Sequence, residues 1–123
     1  MADELTITAS VTYEDSDGVE EIVRSLTGLG VTVTTKRFVH VKNSIGVTEE
    51  AMTLGEVSTL GYCWIKNLDE TNFVEVRVST GSTKMVKVKA GEASLFRFGS
   101  GVTAPYIIAD TAACLVEYIL WND

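Results

Sequence analysis

The chain has 123 residues, of which 46% are hydrophobic and 22% charged, and its formal net charge is −7. This length gives room for one domain with a real hydrophobic core, and the composition argues against a disordered or fibrous chain. The acidic balance argues against nucleic acid as a partner, because such binding needs a basic surface. No apolar run approaches the roughly 20 residues of a membrane span, and the acidic N-terminus is unlike a signal peptide. We therefore expect no membrane partner and a protein made in a cytoplasm.

Alternation of apolar and polar side chains dominates the first third of the chain and predicts β-strands. A first strand is expected over 4–13, followed by a polar turn over 14–18. The segment VEEIVRSLTG, 19–28, fits a short helix about as well as a strand, and the strands around it favour a strand. Residues 31–42 are interpreted as one long strand with a bulge near Lys36.

The rest of the chain repeats this alternating design. After a loop over 43–46 we expect a short strand over 51–54, and then two strands, 62–67 and 73–78, joined as a hairpin by the loop 68–72. Further strands are predicted at 85–88, 95–98, 106–108 and 112–121. Eight or nine short strands connected by hairpins predict an all-β protein, with 1–123 forming a single antiparallel sandwich or jelly roll.

The residues that could bind a metal are few. Cys63 and Cys114 stand inside apolar strand patterns, which favours small buried thiols over a single cross-strand disulfide. The chain has one histidine and no CxxC spacing, so we expect no metal site and no cofactor. Asp15 and Asp17 form a fragment of a calcium loop that lacks its remaining ligands, and a solvated turn is the favoured interpretation.

A catalytic role is equally unsupported by the sequence. His40 is the only imidazole base, and its position in the middle of a strand favours a structural role. Glu49, Glu50 and Glu56 resemble the paired carboxylates of glycosidases, but the loops are too short to build a deep cleft. Aromatic side chains could form a stacking platform for sugars, although core positions are favoured for Tyr62, Trp64, Phe73 and Phe96. We expect a protein that is not an enzyme.

Two turns carry residues with a clear structural role. Asn67 and Asn72 flank the loop 68–72, where their amides can bond free backbone groups, and Asp69 can cap the turn between them. Gly91 permits a positive φ in the turn after residue 89, and Glu92 can accept hydrogen bonds from backbone donors there.

Three segments together resemble the small virion structural proteins of tailed bacteriophages: LGEVSTLGYCWIKNLDETNFVEVRV, KVKAGEASLFRF and TAACLVEYIL. The resemblance covers about residues 54–120 and is looser over the first fifty. It implies a jelly-roll head decoration or cement protein that binds the major capsid protein, self-associates, with a trimer favoured, and resides in the virion after assembly in the host cytoplasm.

The resemblance leaves two alternatives open. One is a neck, tail or baseplate component of the same particle. The other, from a different class, is a carbohydrate-binding or host receptor-binding module, which predicts that Trp64 or Trp121 faces solvent. For contacts with partners we expect the N-terminal strand and apolar side chains at loop tips, namely Leu5, Ile7, Leu29, Ile45 and Val102.

Overall fold

The structure, a computed structural model, describes residues 4–18 and 21–123. Within this part the chain forms ten strands in three sheets, and every strand pair is antiparallel. The predicted all-β, antiparallel class is therefore confirmed. The chain divides into two compact units, Met1–Val33 and Thr34–Asp123, where the sequence pattern indicated one domain.

The first unit is a long β-hairpin. Strand β1, Leu5–Glu14, pairs with strand β2, Glu21–Val31, and their register shifts between Ile7 and Ala9. The segment that fitted helix and strand equally well is thus a strand over its described residues, while Val19 and Glu20 lie outside them. The helical spacing was incidental, because neighbours such as Ile22 and Val23 point to opposite faces of the hairpin.

The single long strand expected over 31–42 is wrong. Strand β2 ends at Val31, a 3-10 turn follows at Thr34–Lys36, and strand β3 begins at Phe38 and runs to Ile45. Thr35 and Lys36 have φ angles of 60° and 56°, a left-handed conformation that is rare without glycine. Residues 34–37 include no glycine, proline, asparagine or aspartate. The alternation of apolar and polar residues before and after the break therefore resembles that of one continuous strand.

The second unit contains the remaining strands. They are β4 (Glu50–Ala51), β5 (Leu60–Asn67), β6 (Val74–Arg77), β7 (Lys84–Val88), β8 (Ala93–Arg97), β9 (Tyr106–Ala109) and β10 (Cys114–Asn122). One sheet has the order β3-β10-β5-β8 and the other the order β4-β9-β6-β7. The consecutive strands β6 and β7 pair with each other in one sheet. The consecutive strands β5 and β6, in contrast, belong to different sheets.

The core of the second unit lies between these two sheets. Side chains from both sheets enter one buried cluster, among them Ile65, Val74, Val76, Ile107, Val116, Tyr118 and Leu120. Strand β5 alternates as predicted, with Cys63, Ile65 and Asn67 buried and the side chains between them half-buried. Cys63 and Cys114 are free and buried, which confirms the prediction of buried thiols.

The predicted hairpin between 62–67 and 73–78 is wrong. Strand β5 pairs with β10 and β8, whereas β6 pairs with β7 and β9, so the loop 68–72 carries the chain from one sheet to the other. Alternation identifies a strand and its buried face, but it does not identify the strand beside it.

Candidate interaction surfaces

The hairpin of the first unit has one apolar face. Residues directly opposite each other in an antiparallel pair share a face, and the register places Leu5 opposite Val31, Ile7 opposite Leu29, and Tyr13 opposite Ile22. The complete face consists of Leu5, Ile7, Ala9, Val11, Tyr13, Ile22, Arg24, Leu26, Leu29 and Val31. The other face carries mainly Thr, Ser and Glu side chains, so the hairpin is amphipathic.

The apolar face is exposed along most of its length. Val11, Tyr13, Ile22, Leu26 and Leu29 are between 37% and 63% exposed. The face is less exposed where β1 begins and β2 ends: Leu5 and Val31 are half-buried, and Ile7 is buried. We call the exposed part the hairpin face: Ala9, Val11, Tyr13, Ile22, Arg24, Leu26 and Leu29. A two-stranded hairpin is by itself only marginally stable in water, and its apolar side chains are exposed along this face.

A second apolar surface lies on the sheet β3-β10-β5-β8, on the side away from the core. Trp64 lies between Leu95 and Ile119 in the register, and Trp121 lies beside Phe38. We call this surface the sheet face: Phe38, Tyr62, Trp64, Leu95, Ile119 and Trp121. Phe38 and Leu95 are exposed, and the others are half-buried. Core positions were expected for Tyr62 and Trp64, and the alternation of β5 explains the difference, since Cys63 and Ile65 take the core side.

The lone histidine belongs to a polar strip beside the sheet face. His40 Nε2 lies 2.6 Å from Glu117 Oε2 across strands β3 and β10, and the two side chains are 50% and 28% exposed. Lys42 is opposite Glu117 in the register. The arrangement is a hydrogen-bonded pair of side chains on the surface.

Glu49 and Glu50, two of the carboxylates that resembled a glycosidase pair, accept hydrogen bonds from backbone N–H groups, and Glu49 also accepts one from an arginine. Glu49 accepts hydrogen bonds from Arg77 Nη1 at 2.7 Å, from the Gly81 N–H at 3.1 Å and from the Thr80 hydroxyl. The hydrogen bonds from Thr80 and Gly81 lower the pKa of Glu49, which keeps it ionised rather than poised as an acid. Glu50 Oε2 accepts from the Gly46 N–H at 3.3 Å. These side chains fix loops.

A pocket of about 330 Å³ lies at one end of the second unit, lined by residues 58–60, 97–103 and 123. Its charged groups, Arg97 and Asp123, form an ion pair with each other, and Arg97 also stacks 4.3 Å over the Tyr62 ring. Val102 is half-buried here and packs on the core. This volume is at the small end of ligand pockets, and its lining residues include no imidazole.

The turn residues form a network centred on a buried amide. Asn67 Nδ2 donates to the carbonyls of Asn72 and Val88 at 2.8 and 3.1 Å, and its Oδ1 accepts from the Asp69 N–H at 2.9 Å. Asp69 Oδ2 accepts from the N–H groups of Asn72 and Thr71, and these bonds lower the pKa of Asp69. The network holds the loop 68–72 as it crosses between the sheets.

The second turn joins the same network through the backbone. Gly91 has a φ of 77°, and its N–H donates to the Asn67 carbonyl at 3.0 Å. Glu92 Oε1 accepts from the Lys89 N–H at 3.0 Å, and the Glu92 carbonyl accepts from the Asn67 N–H. A related buried amide that sequence reasoning missed is Asn122, whose Oδ1 accepts from the N–H groups of Ser58 and Thr59.

The expected contact residues have different outcomes. Leu29 is exposed on the hairpin face, whereas Ile45 is buried at the end of β3 with 1% of its surface exposed. The expectation of a loop-tip contact at Ile45 is therefore wrong, because the strand extends to it and turns it into the core. Ile7, at 6%, also leaves little surface for another molecule. Val11 lies on the N-terminal strand that was expected to make contacts, whereas Leu26 on strand β2 was missed, although the alternation of that strand could have indicated it.

No protein-family model, curated protein or solved structure matches the chain. In the described ranges, 4–18 and 21–123, no group of three or more His, Cys, Asp or Glu side chains could hold a metal ion. A search of the same residues finds no helix that is long and apolar enough to cross a membrane.

Proposed function

We propose that the chain is a structural protein of a tailed-bacteriophage particle, a decoration or cement protein that binds the major capsid protein and stabilises the shell. The observation that carries this proposal is the apolar surface on two separate parts of the chain, the hairpin face and the sheet face. Exposed apolar patches of this extent on soluble proteins typically mark binding sites for other proteins. The resemblance of residues 54–120 to virion proteins is the reason for proposing the major capsid protein as the partner.

The strand order supports a jelly roll for the second unit. Counted from β3, the first, eighth, third and sixth strands form one sheet, and the second, seventh, fourth and fifth form the other. This is the order produced when an antiparallel hairpin of four strand pairs is rolled into two facing sheets. Viral capsid proteins and lectins both use this architecture, so the fold alone does not choose between them.

The proposed mechanism is burial of surface. A stable contact between proteins removes about 800 Å² per partner from water, and aromatic side chains supply much of the binding energy. The sheet face offers Phe38, Trp64 and Trp121 for this purpose, and we assign it the contact with the shell. Weak contacts from several linked copies would add up to strong attachment through avidity.

A binding assay with shells that lack the protein tests this function. The purified chain should sediment with such shells, and Phe38→Glu should weaken the interaction at least tenfold, since a charge would be buried in the contact. Met85→Glu is the matched control, because Met85 is exposed to a similar extent on strand β7 of the other sheet. Failure of the unmodified chain to bind shells would contradict the assignment to the shell and favour a neck, tail or baseplate position.

A carbohydrate- or receptor-binding module is the second candidate, favoured by the outward position of Trp64 and Trp121. Both tryptophans of the chain lie on the sheet face, so intrinsic tryptophan fluorescence reports on this surface alone. Shells should shift the emission and protect it from acrylamide, whereas glycans should leave it unchanged. A glycan-induced shift without a response to shells would favour the second candidate.

A further inference from the structure

Hydrogen bonds within the chain hold the walls of the pocket at the end of the second unit. On one side, the N–H groups of Ser58 and Thr59 donate to the buried side chain of Asn122 at 2.9 and 3.2 Å. On the other side, the Val102 N–H donates to the Gly99 carbonyl at 3.3 Å and closes a turn. Because these bonds are internal to the chain, the cavity of about 330 Å³ is largely pre-formed, as ligand sites usually are.

The buried residues that line the pocket are apolar. Leu60 and Phe98 are 7% and 4% exposed, and both belong to the core of the second unit. Val102 is half-buried and packs on the same core. We call these three side chains the floor of the pocket. The floor provides no hydrogen-bonding side chain, so the part of a ligand that meets it must be apolar as well.

Hydroxyl groups line the more exposed part of the pocket. Within the described part of the chain, no hydrogen bond occupies the side-chain hydroxyls of Thr59, Ser100 and Thr103. All three residues are exposed. A hydroxyl both donates and accepts hydrogen bonds. These three groups are therefore complementary to a ligand that carries hydroxyls of its own.

The charges in the pocket cancel each other. Arg97 and Asp123 are the charged residues among those that line it, and they form an ion pair. Asp123 would repel a phosphate and Arg97 would repel an ammonium group, so a neutral ligand is favoured. The pair keeps hydrogen-bonding capacity, because the guanidinium has further N–H donors and the carboxylate has a second oxygen.

We propose that this pocket binds one neutral sugar ring, either a free monosaccharide or the terminal ring of a glycan. A pyranose ring has apolar C–H groups on its faces and hydroxyls around its rim, which matches the floor, the free hydroxyls and the ion pair. The volume is at the small end of ligand pockets and fits a single ring better than a longer glycan. This site goes beyond the proposed function. It shares no residue with the hairpin face or the sheet face, so it is tested on the purified chain without shells.

Titration of the full, isotope-labelled chain with monosaccharides, followed by two-dimensional NMR, tests the proposal. The probes are glucose, galactose, mannose and N-acetylglucosamine, each up to about 100 mM because ligands of this size bind weakly. At least one of them should shift the backbone amide signals of residues 58–60 and 97–103 in a saturable way. Thr103→Val should weaken that binding about fivefold, since it removes a hydroxyl with little change in side-chain volume.

Thr83→Val is the matched control, because Thr83 is an exposed loop threonine that does not line the pocket. It should leave the affinity for the sugar unchanged. The lining residues include no tryptophan, so sugar-induced shifts confined to Trp64 and Trp121 would assign the glycan to the sheet face and overturn the proposal. The same shifts with inorganic phosphate would overturn it too, as would equal affinity in Thr103→Val or no response of the pocket amides to any of these sugars.

Discussion

Replacing Asn67 with alanine should destabilise the second unit far more than the same change at Asn72. The Asn67 side chain is fully buried and makes three hydrogen bonds, to the carbonyls of Asn72 and Val88 and from the N–H of Asp69. At roughly 1 kcal/mol for each bond, Asn67→Ala should lower the free energy of unfolding by about 3 kcal/mol. For a chain of this size the melting temperature should fall by about 12 °C.

Asn72→Ala is the matched control, because it removes the same group from the other end of the loop. The Asn72 side chain bonds Thr111 and Thr71 at exposed positions, and the network uses the backbone carbonyl of Asn72, which alanine retains. Its loss should cost about 1 kcal/mol or less. Urea denaturation followed by circular dichroism measures both values. Equal losses for the two variants would refute the assignment of the buried amide as the centre of the network.

Three further predictions concern the second unit. Gly61→Ala should lower the melting temperature, because a Cβ at this position would lie 2.9 Å from the Asp123 Cα. Gly99→Ala should have little effect, because there is open space around Gly99. Equal changes in melting temperature for the two variants would contradict this packing. Burial raises the pKa of Cys63 to about 12. The thiol should therefore resist iodoacetamide in the native protein and react after the protein is unfolded. Rapid alkylation of Cys63 in the native protein would count against its burial. The pKa of Asp69 is lowered by folding, so the stability it contributes is present above its unfolded pKa and lost as the pH falls through its folded pKa. Melting temperatures should therefore drop below about pH 4, less steeply in Asp69→Asn, and an unchanged slope in that variant would be the contrary result.

Much of the fold could be predicted from residue alternation. Strand β5 is an example, since the sequence predicted an alternating strand over 62–67, and Cys63, Ile65 and Asn67 form its buried face. Strand pairing could not be predicted in this way, because a loop of a given length can close a hairpin or cross to another sheet. The break between strands β2 and β3 at Thr35 and Lys36 could not be predicted either, because neither residue type is typical of a left-handed backbone.

The candidate surfaces were predictable only in part. The N-terminal strand was expected to make contacts, and its alternation places Val11 and Tyr13 on the same face as Leu5 and Ile7. Which of these side chains are exposed depends on where other strands lie, and sequence does not carry that information. Asn67 and Asn72 likewise look equivalent in the sequence, because the Val88 carbonyl that distinguishes them is 21 residues away.

The central claim is that this chain works by binding other proteins in a virus particle. Imaging of purified particles that carry a labelled copy of the chain tests it most directly. The account predicts label over the whole shell, with a copy number comparable to that of the shell protein and grouped in threes. Particles that assemble normally and contain no label would contradict the claim, while label confined to one vertex would replace the shell with the neck or tail.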